Sequence, residues 1–220
     1  MKLLFSFTVL VLPAMAGPLI IGTANTTNCL PFANCAGATV TLYQQVYSSG
    51  QFSGTIQFNE IAFFGSPLFL GVPLDSATYQ ISFSTTQKAT GSLDSNPSQN
   101  PGPDSRLFGT FLVSGNTPAQ LTFIGQPFTF DPSAGNLLVQ IAVSNITATG
   151  DSGGFQAMSP GGSVTSRLLD FPVGGVSTDS LGLVTEFSEV PEAESFLLVL
   201  GGLILGSASG RRRNAAKQAR

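Results

Sequence analysis

Thr78-Tyr-Gln-Ile-Ser-Phe-Ser84 reads as a strand from its side chains alone. Tyr79, Ile81 and Phe83 fall on one face, and Gln80, Ser82 and Ser84 on the other. That is the period of two expected of a half-buried strand. The pattern recurs on both sides of it. Upstream lie 39–46 (Thr-Val-Thr-Leu-Tyr-Gln-Gln-Val), 55–59 (Thr-Ile-Gln-Phe-Asn) and 61–64 (Ile-Ala-Phe-Phe). Downstream lie 107–113, 120–124, the short Phe128-Thr-Phe130, and 182–187. The run 136–144 (Asn-Leu-Leu-Val-Gln-Ile-Ala-Val-Ser) is apolar on both faces and is therefore placed centrally in a sheet. Between residues 17 and 189 no segment keeps a helical period over ten residues.

Turn chemistry separates these runs: Gly65-Ser-Pro67, Gly71-Val-Pro73, Asp131-Pro-Ser-Ala-Gly135, Gly150-Asp-Ser-Gly-Gly154 and Pro160-Gly-Gly162 all break pairing. In the third of these turns, Asp131 is expected to cap through its side chain and Gly135 to take a positive φ. Short strands at this spacing predict an all-β fold, an antiparallel, jelly-roll-like β-sandwich of one domain over 17–189. Fifteen of the chain's eighteen phenylalanines fall within it and supply its core.

The polar inventory narrows the chemistry. The chain has no histidine, so Ser-His-Asp and Cys-His catalysis is excluded. Gly150-Asp-Ser-Gly-Gly154 is accordingly a glycine-rich turn rather than a nucleophile segment. No phosphate loop or dinucleotide fingerprint occurs, and the acids are scattered, so no enzyme and no cofactor is expected. Residues 17–189 hold ten acids against the three bases Lys88, Arg106 and Arg167, a net charge of −7. Such a surface carries no footprint for nucleic acid. Cys29 and Cys35 are the only cysteines. In an exported chain they are expected to pair, contributing about 2 kcal/mol by closing a small loop. They are too few for a metal centre.

Two binding possibilities arise. The proline-rich loop over 93–105 offers Asp94, Asn96, Asn100 and Asp104, oxygen donors of the kind calcium takes, though in no ordered calcium motif. A solvated loop is the favoured expectation there. Carbohydrate binding by a sandwich would call for aromatic platforms. The chain has no Trp, and Tyr43, Tyr47 and Tyr79 sit in predicted strands, where they are expected to be core or cross-strand partners.

Both ends read as targeting segments. Lys2 precedes an apolar run over 3–12, and Ala14-Met15-Ala16 supplies a small-x-small cut site. Residues 1–16 are thus expected to be a signal peptide removed by signal peptidase, leaving Gly17 first. At the other end, Val190-Pro-Glu-Ala193 is followed by an apolar run taken as a single transmembrane helix over 195–210, and then Arg211-Arg-Arg213. The helix spans roughly 21–24 Å, short against a bilayer core of about 30 Å. The arginines fix the cytoplasmic side.

This ordered combination over 190–220 resembles the PEP-CTERM sorting signal of exported Gram-negative proteins. The family motif reads Val-Pro-Glu-Pro, and Ala193 stands at its last position. The resemblance implies Val190, Pro191, Glu192 and Ala193 as recognition motif, and Arg211, Arg212 and Arg213 as stop. It implies an exosortase-type membrane protease as partner. Tyr43-Gln-Gln-Val-Tyr47, the run 128–139 and Leu181-Gly-Leu-Val-Thr-Glu-Phe187 resemble an uncharacterised β-sandwich domain that recurs in such proteins. The expected destination is a cell surface or extracellular matrix, in a structural or adhesive role. The alternative is a carbohydrate-binding module acting on exopolysaccharide.

Overall fold

A computed structural model describes residues 17–148 and 153–189. The expected signal peptide, sorting motif, transmembrane helix and arginine stop lie outside the described residues. The strands, in chain order, are β1 (Leu19–Ile21), β2 (Thr26–Asn28), β3 (Leu42–Tyr47), β4 (Ile56–Phe64), β5 (Ser76–Thr86) and β6 (Arg106–Val113). They continue as β7 (Gln120–Phe130), β8 (Asn136–Thr147), β9 (Phe155–Met158), β10 (Thr165–Phe171), β11 (Gly175–Asp179), β12 (Gly182–Leu183) and β13 (Thr185–Glu189). The fold is all-β, and every strand pairing is antiparallel.

Two large sheets carry the architecture, in orders β1-β13-β4-β7 and β11-β10-β3-β8-β5-β6. Their inner faces share one aromatic core, the arrangement of a β-sandwich. Phe58 of β4 meets Phe83 of β5 edge-on at 4.9 Å, and Phe187 of β13 meets Tyr47 of β3 at 5.3 Å. Each such pair adds about 0.5–1.5 kcal/mol beyond area burial. In β5 the alternation is as expected: Tyr79, Ile81 and Phe83 are buried, and Gln80 is exposed. β8 is flanked by β3 and β5, the central place its two apolar faces demand.

The structure extends the expected strands in three ways. The runs 55–59 and 61–64 join as β4, and 120–124 joins 128–130 as β7, because irregular registers absorb the break instead of a turn. The stretch 182–187 divides. Gly182 and Leu183 pair with β9 in a third sheet of order β12-β9-β2, while residues from Thr185 onward pair with β4. β1, β2, β9, β10 and β11 had no clear apolar alternation to announce them.

The two ends of the domain meet in one sheet. Leu19 stands opposite Phe187 in an antiparallel pair. The chain therefore enters β1 and leaves β13 at the same end of the sheet.

Candidate functional site

Of the residues singled out from the sequence, Ala14, Ala16, Val190, Pro191, Glu192, Ala193, Arg211, Arg212 and Arg213 lie outside the described residues. Gly17 is exposed. Cys29 and Cys35 form a disulfide, with Cα atoms 5.6 Å apart. Between them the chain turns inward: Leu30, Phe32, Ala33 and Asn34 are all buried. Phe32 enters a cage of rings, at 5.0 Å from Phe63, 5.2 Å from Tyr79 and from Phe155, and 5.7 Å from Phe123. The loop plugs one end of the sandwich, a role that the cysteine spacing alone does not reveal. Of the glycine-rich stretch, Gly153 and Gly154 are described. A Cβ on either would come within 2.6 Å of Thr117 or Thr27 side-chain atoms, which is close packing of a turn.

The loop expected to be solvated is largely exposed, and it is also tied down onto the sheet beneath it. In β3, β5, β8 and β10, Gln44, Val46, Ser84, Leu138, Ser166 and Leu168 occupy the outward register, yet all are buried. Residues 87–105 fold onto this face at Gln44 and Ser166. The Gln44 amide donates to Pro97 O at 2.9 Å and accepts from Asn100 Nδ2 at 2.7 Å, while Gly91 N donates to Ser166 Oγ at 2.7 Å. The four oxygen donors of the loop are engaged within it or with its base. Asp94 Oδ1 accepts from Asn96 N, and Asp94 Oδ2 faces Lys88 Nζ at 3.3 Å. These contacts hold the Asp94 carboxyl below its ordinary range, the Asn96 amide contributing most. Asn96 Oδ1 accepts from Ser98, Asn100 Oδ1 from Asp94 N, and Asp104 Oδ1 from Thr85 N. Among the described residues no three His, Cys, Asp or Glu side chains converge as a cation site. The expected Asp131 turn forms: Oδ1 accepts from Ser133 N at 2.9 Å, the Ser133 hydroxyl and then this backbone bond lower the carboxyl's pKa, and Gly135 has φ +151°.

The three tyrosines are core residues, as expected, and two of them open a polar seam. Tyr43 donates to Gln45 Oε1. Gln45 in turn bridges both backbone groups of Leu183, each at 2.9 Å. Tyr47 Oη meets Thr185 Oγ1 at 2.6 Å. Arg167 of β10 stands opposite Gln45, facing inward, and forks onto Asp179 through Nε and Nη2 at 2.9 Å each. Burial pushes all three phenols well above their usual range; Asp75 adds to the effect at Tyr79, while the Arg167 charge opposes it at Tyr43. An unfolded phenol titrates at about pH 10. Each tyrosine therefore stabilises the fold fully below that pH, and the contribution is lost as pH rises above it. In an alkaline titration the ultraviolet phenolate signal should stay flat through pH about 10. It should then appear in one cooperative step with loss of circular dichroism. Gradual ionisation centred near pH 10 with the fold intact would contradict the burial of these rings.

A further feature had no sequence signal recognised as a site. β6 and β7 are the edges of the two large sheets on one side of the sandwich. Each bulges there. Phe108 is the extra residue in β6, between pairs Ile81↔Gly109 and Ser82↔Leu107. In β7, Gly125, Gln126 and Pro127 stand against the single residue Asn59 of β4, between Phe58↔Phe128 and Glu60↔Ile124. The bulges touch: a Cβ on Gly125 would lie 2.4 Å from Phe108 O, so only glycine allows this approach. Between them is a slot of about 260 Å³ lined by Phe83, Arg106, Leu107, Phe108, Gln126, Pro127 and Phe128. Arg106 pairs in register with inward-facing Phe83, so it faces the gap between the sheets, yet it is exposed because the sandwich is open there. The Gly-Gln-Pro triplet within an apolar run was the available signal, and it reads from sequence as an ordinary strand break.

No protein-family model matches the chain, and no curated protein matches it as a relative.

Proposed function

We propose that this chain is an exported, jelly-roll-like β-sandwich with a structural or adhesive role at a cell surface or in an extracellular matrix. Its C-terminal segment is a sorting signal read by an exosortase-type membrane protease. The observation that carries this reading is the arrangement of the two ends. β1 and β13 are hydrogen-bonded neighbours in antiparallel register, so residues 18 and 189 leave the domain side by side. β13 runs to Glu189, immediately before Val190-Pro-Glu-Ala193. A domain so built presents both of its ends on one side, and the proposed cut site follows the last strand directly in the sequence. The Cys29–Cys35 disulfide is compatible with an oxidising compartment.

Intact mass and fractionation of the protein from its host test this. The expected product begins at Gly17, lacks residues from about Pro191 onward, and is found on the surface or in the medium. A retained tail in the membrane fraction would reject the sorting reading.

A second reading, a carbohydrate-binding module, is favoured by the slot between β6 and β7. Saturable retention of the protein on acidic or neutral polysaccharide would support it, and passage without retention would count against it.

A further inference from the structure

Residues 17–189 hold three basic side chains, and two of them are neutralised. Lys88 faces Asp94 at 3.3 Å, and Arg167 forks onto Asp179 at 2.9 Å. Arg106 has no carboxylate partner among the described residues. It stands at the inward register of an edge strand, at the mouth of the slot formed by the two bulges. A guanidinium left unneutralised in a domain of net charge −7 is a local anion site within a repulsive field. Paired bulges at one level of two facing edges are devices that aim side chains, not irregularities of pairing.

We infer that this slot binds one carboxylate-bearing sugar ring, the chemistry of a uronic acid residue in an acidic polysaccharide. The inference deepens the carbohydrate-binding reading and rests on it, while it stands apart from the sorting signal. Three features select this ligand class. The planar fork of Arg106 matches a carboxylate in bidentate geometry, whereas a polyphosphate would meet one cation and a surplus of acids. The floor rings Phe83, Phe108 and Phe128 are each no more than 5% exposed, so no channel opens for an acyl chain. What a ligand can reach is the lip: Pro127 and the Gln126 amide, both exposed. Pro127 offers apolar surface to the C–H face of a ring, and Gln126 offers a donor and an acceptor to its hydroxyls. The volume, about 260 Å³, falls below the range of roughly 300–1,000 Å³ typical of drug-sized ligand sites. It admits one ring and leaves the rest of a polymer outside. Affinity for a single ring is therefore weak, on the order of 1 mM, and a polymer gains through repeated engagement.

Saturation-transfer NMR titration of the full-length protein tests this, with sodium glucuronate as probe, glucose as its neutral counterpart and benzoate as a carboxylate that is not a sugar. Glucuronate should bind at least about tenfold more tightly than glucose. Arg106→Gln should bring glucuronate down to the level of glucose, and added salt should weaken wild-type binding. Pro127→Asp, a change on an exposed lip residue, should likewise abolish glucuronate binding by placing a carboxylate at the mouth. Unchanged urea unfolding curves for both variants separate loss of binding from loss of fold. Equal binding of glucuronate and glucose would overturn the acid selectivity while leaving a neutral-sugar module standing. Absence of binding by either sugar would overturn both the selectivity and the carbohydrate-binding reading. Benzoate binding as tight as glucuronate would overturn the sugar assignment, and glucuronate binding indifferent to Arg106→Gln would overturn the site.

Discussion

Phe32→Ala is expected to destabilise the domain by about 3–5 kcal/mol, read as a lowered midpoint in urea unfolding. Phe32 is fully buried, and the rings around it come from four strands: Phe63 from β4, Tyr79 from β5, Phe123 from β7 and Phe155 from β9. Truncation removes the transfer free energy of the ring and leaves a cavity whose walls are held apart. Relaxation is hindered on the loop side, because Phe32 N and Ala33 N both donate to Cys29 O and the disulfide closes the loop. On the far side the rings are fixed by their own strands. The cavity term is therefore close to its full value. The loop also holds the neighbouring chain, with Asp75 N donating to Phe32 O at 3.3 Å and Tyr79 Oη donating to Pro31 O at 3.4 Å. The double change Cys29→Ser with Cys35→Ser should cost less, about 2 kcal/mol, since the ring can stay in place without the covalent closure. A cost for Phe32→Ala at or below that of the double cysteine change would show that the loop is tethered to the sandwich without plugging it.

The difference between those two expectations also marks where the sequence is readable. Pairing of Cys29 with Cys35 follows from there being only two cysteines, but burial of Phe32 does not, since a lone aromatic in a short loop has no periodicity. The same limit applies elsewhere. Period-two strands such as β5 were legible because one face meets the core and the other meets solvent. β10 was not: Leu168 faces outward yet is buried, and Arg167 faces inward yet is charged. Its pattern inverts what burial would suggest, and both inversions come from distant chain segments. The slot was illegible for a related reason. Gly125-Gln-Pro127 signals a break, but whether a break becomes a turn or a bulge depends on Phe108 of another sheet.

Arg167 shows most clearly what such an inversion costs, and the cost is expected to be asymmetric. Asp179→Ala should lose about 3–5 kcal/mol, whereas Arg167→Met should lose about 1 kcal/mol. The pair is buried on one side only: the Arg167 side chain is 6% exposed and that of Asp179 is 43% exposed. Without Asp179, the guanidinium stays between the sheets with no carboxylate partner among the described residues, and Asn28 Oδ1 remains as an acceptor at 2.8 Å from Nη1. An under-compensated buried charge is the expensive outcome. Without Arg167, the carboxylate regains water and keeps its bond from Leu181 N at 2.9 Å. Methionine then fills the stem volume, and Tyr43 remains satisfied by Gln45. The double variant Asp179→Ala, Arg167→Met should accordingly sit near the Arg167→Met single, giving a large coupling energy in a double-mutant cycle. Equal losses for the two singles would mean that water already reaches the guanidinium. The expected asymmetry would instead assign the pair a positional role. Arg167 ties β10 to Asp179, next to β12, and to Asn28 of β2, and those two strands flank β9 in the small third sheet. That sheet has few apolar residues of its own to fix its register, so a charged fork with definite geometry does what packing elsewhere does.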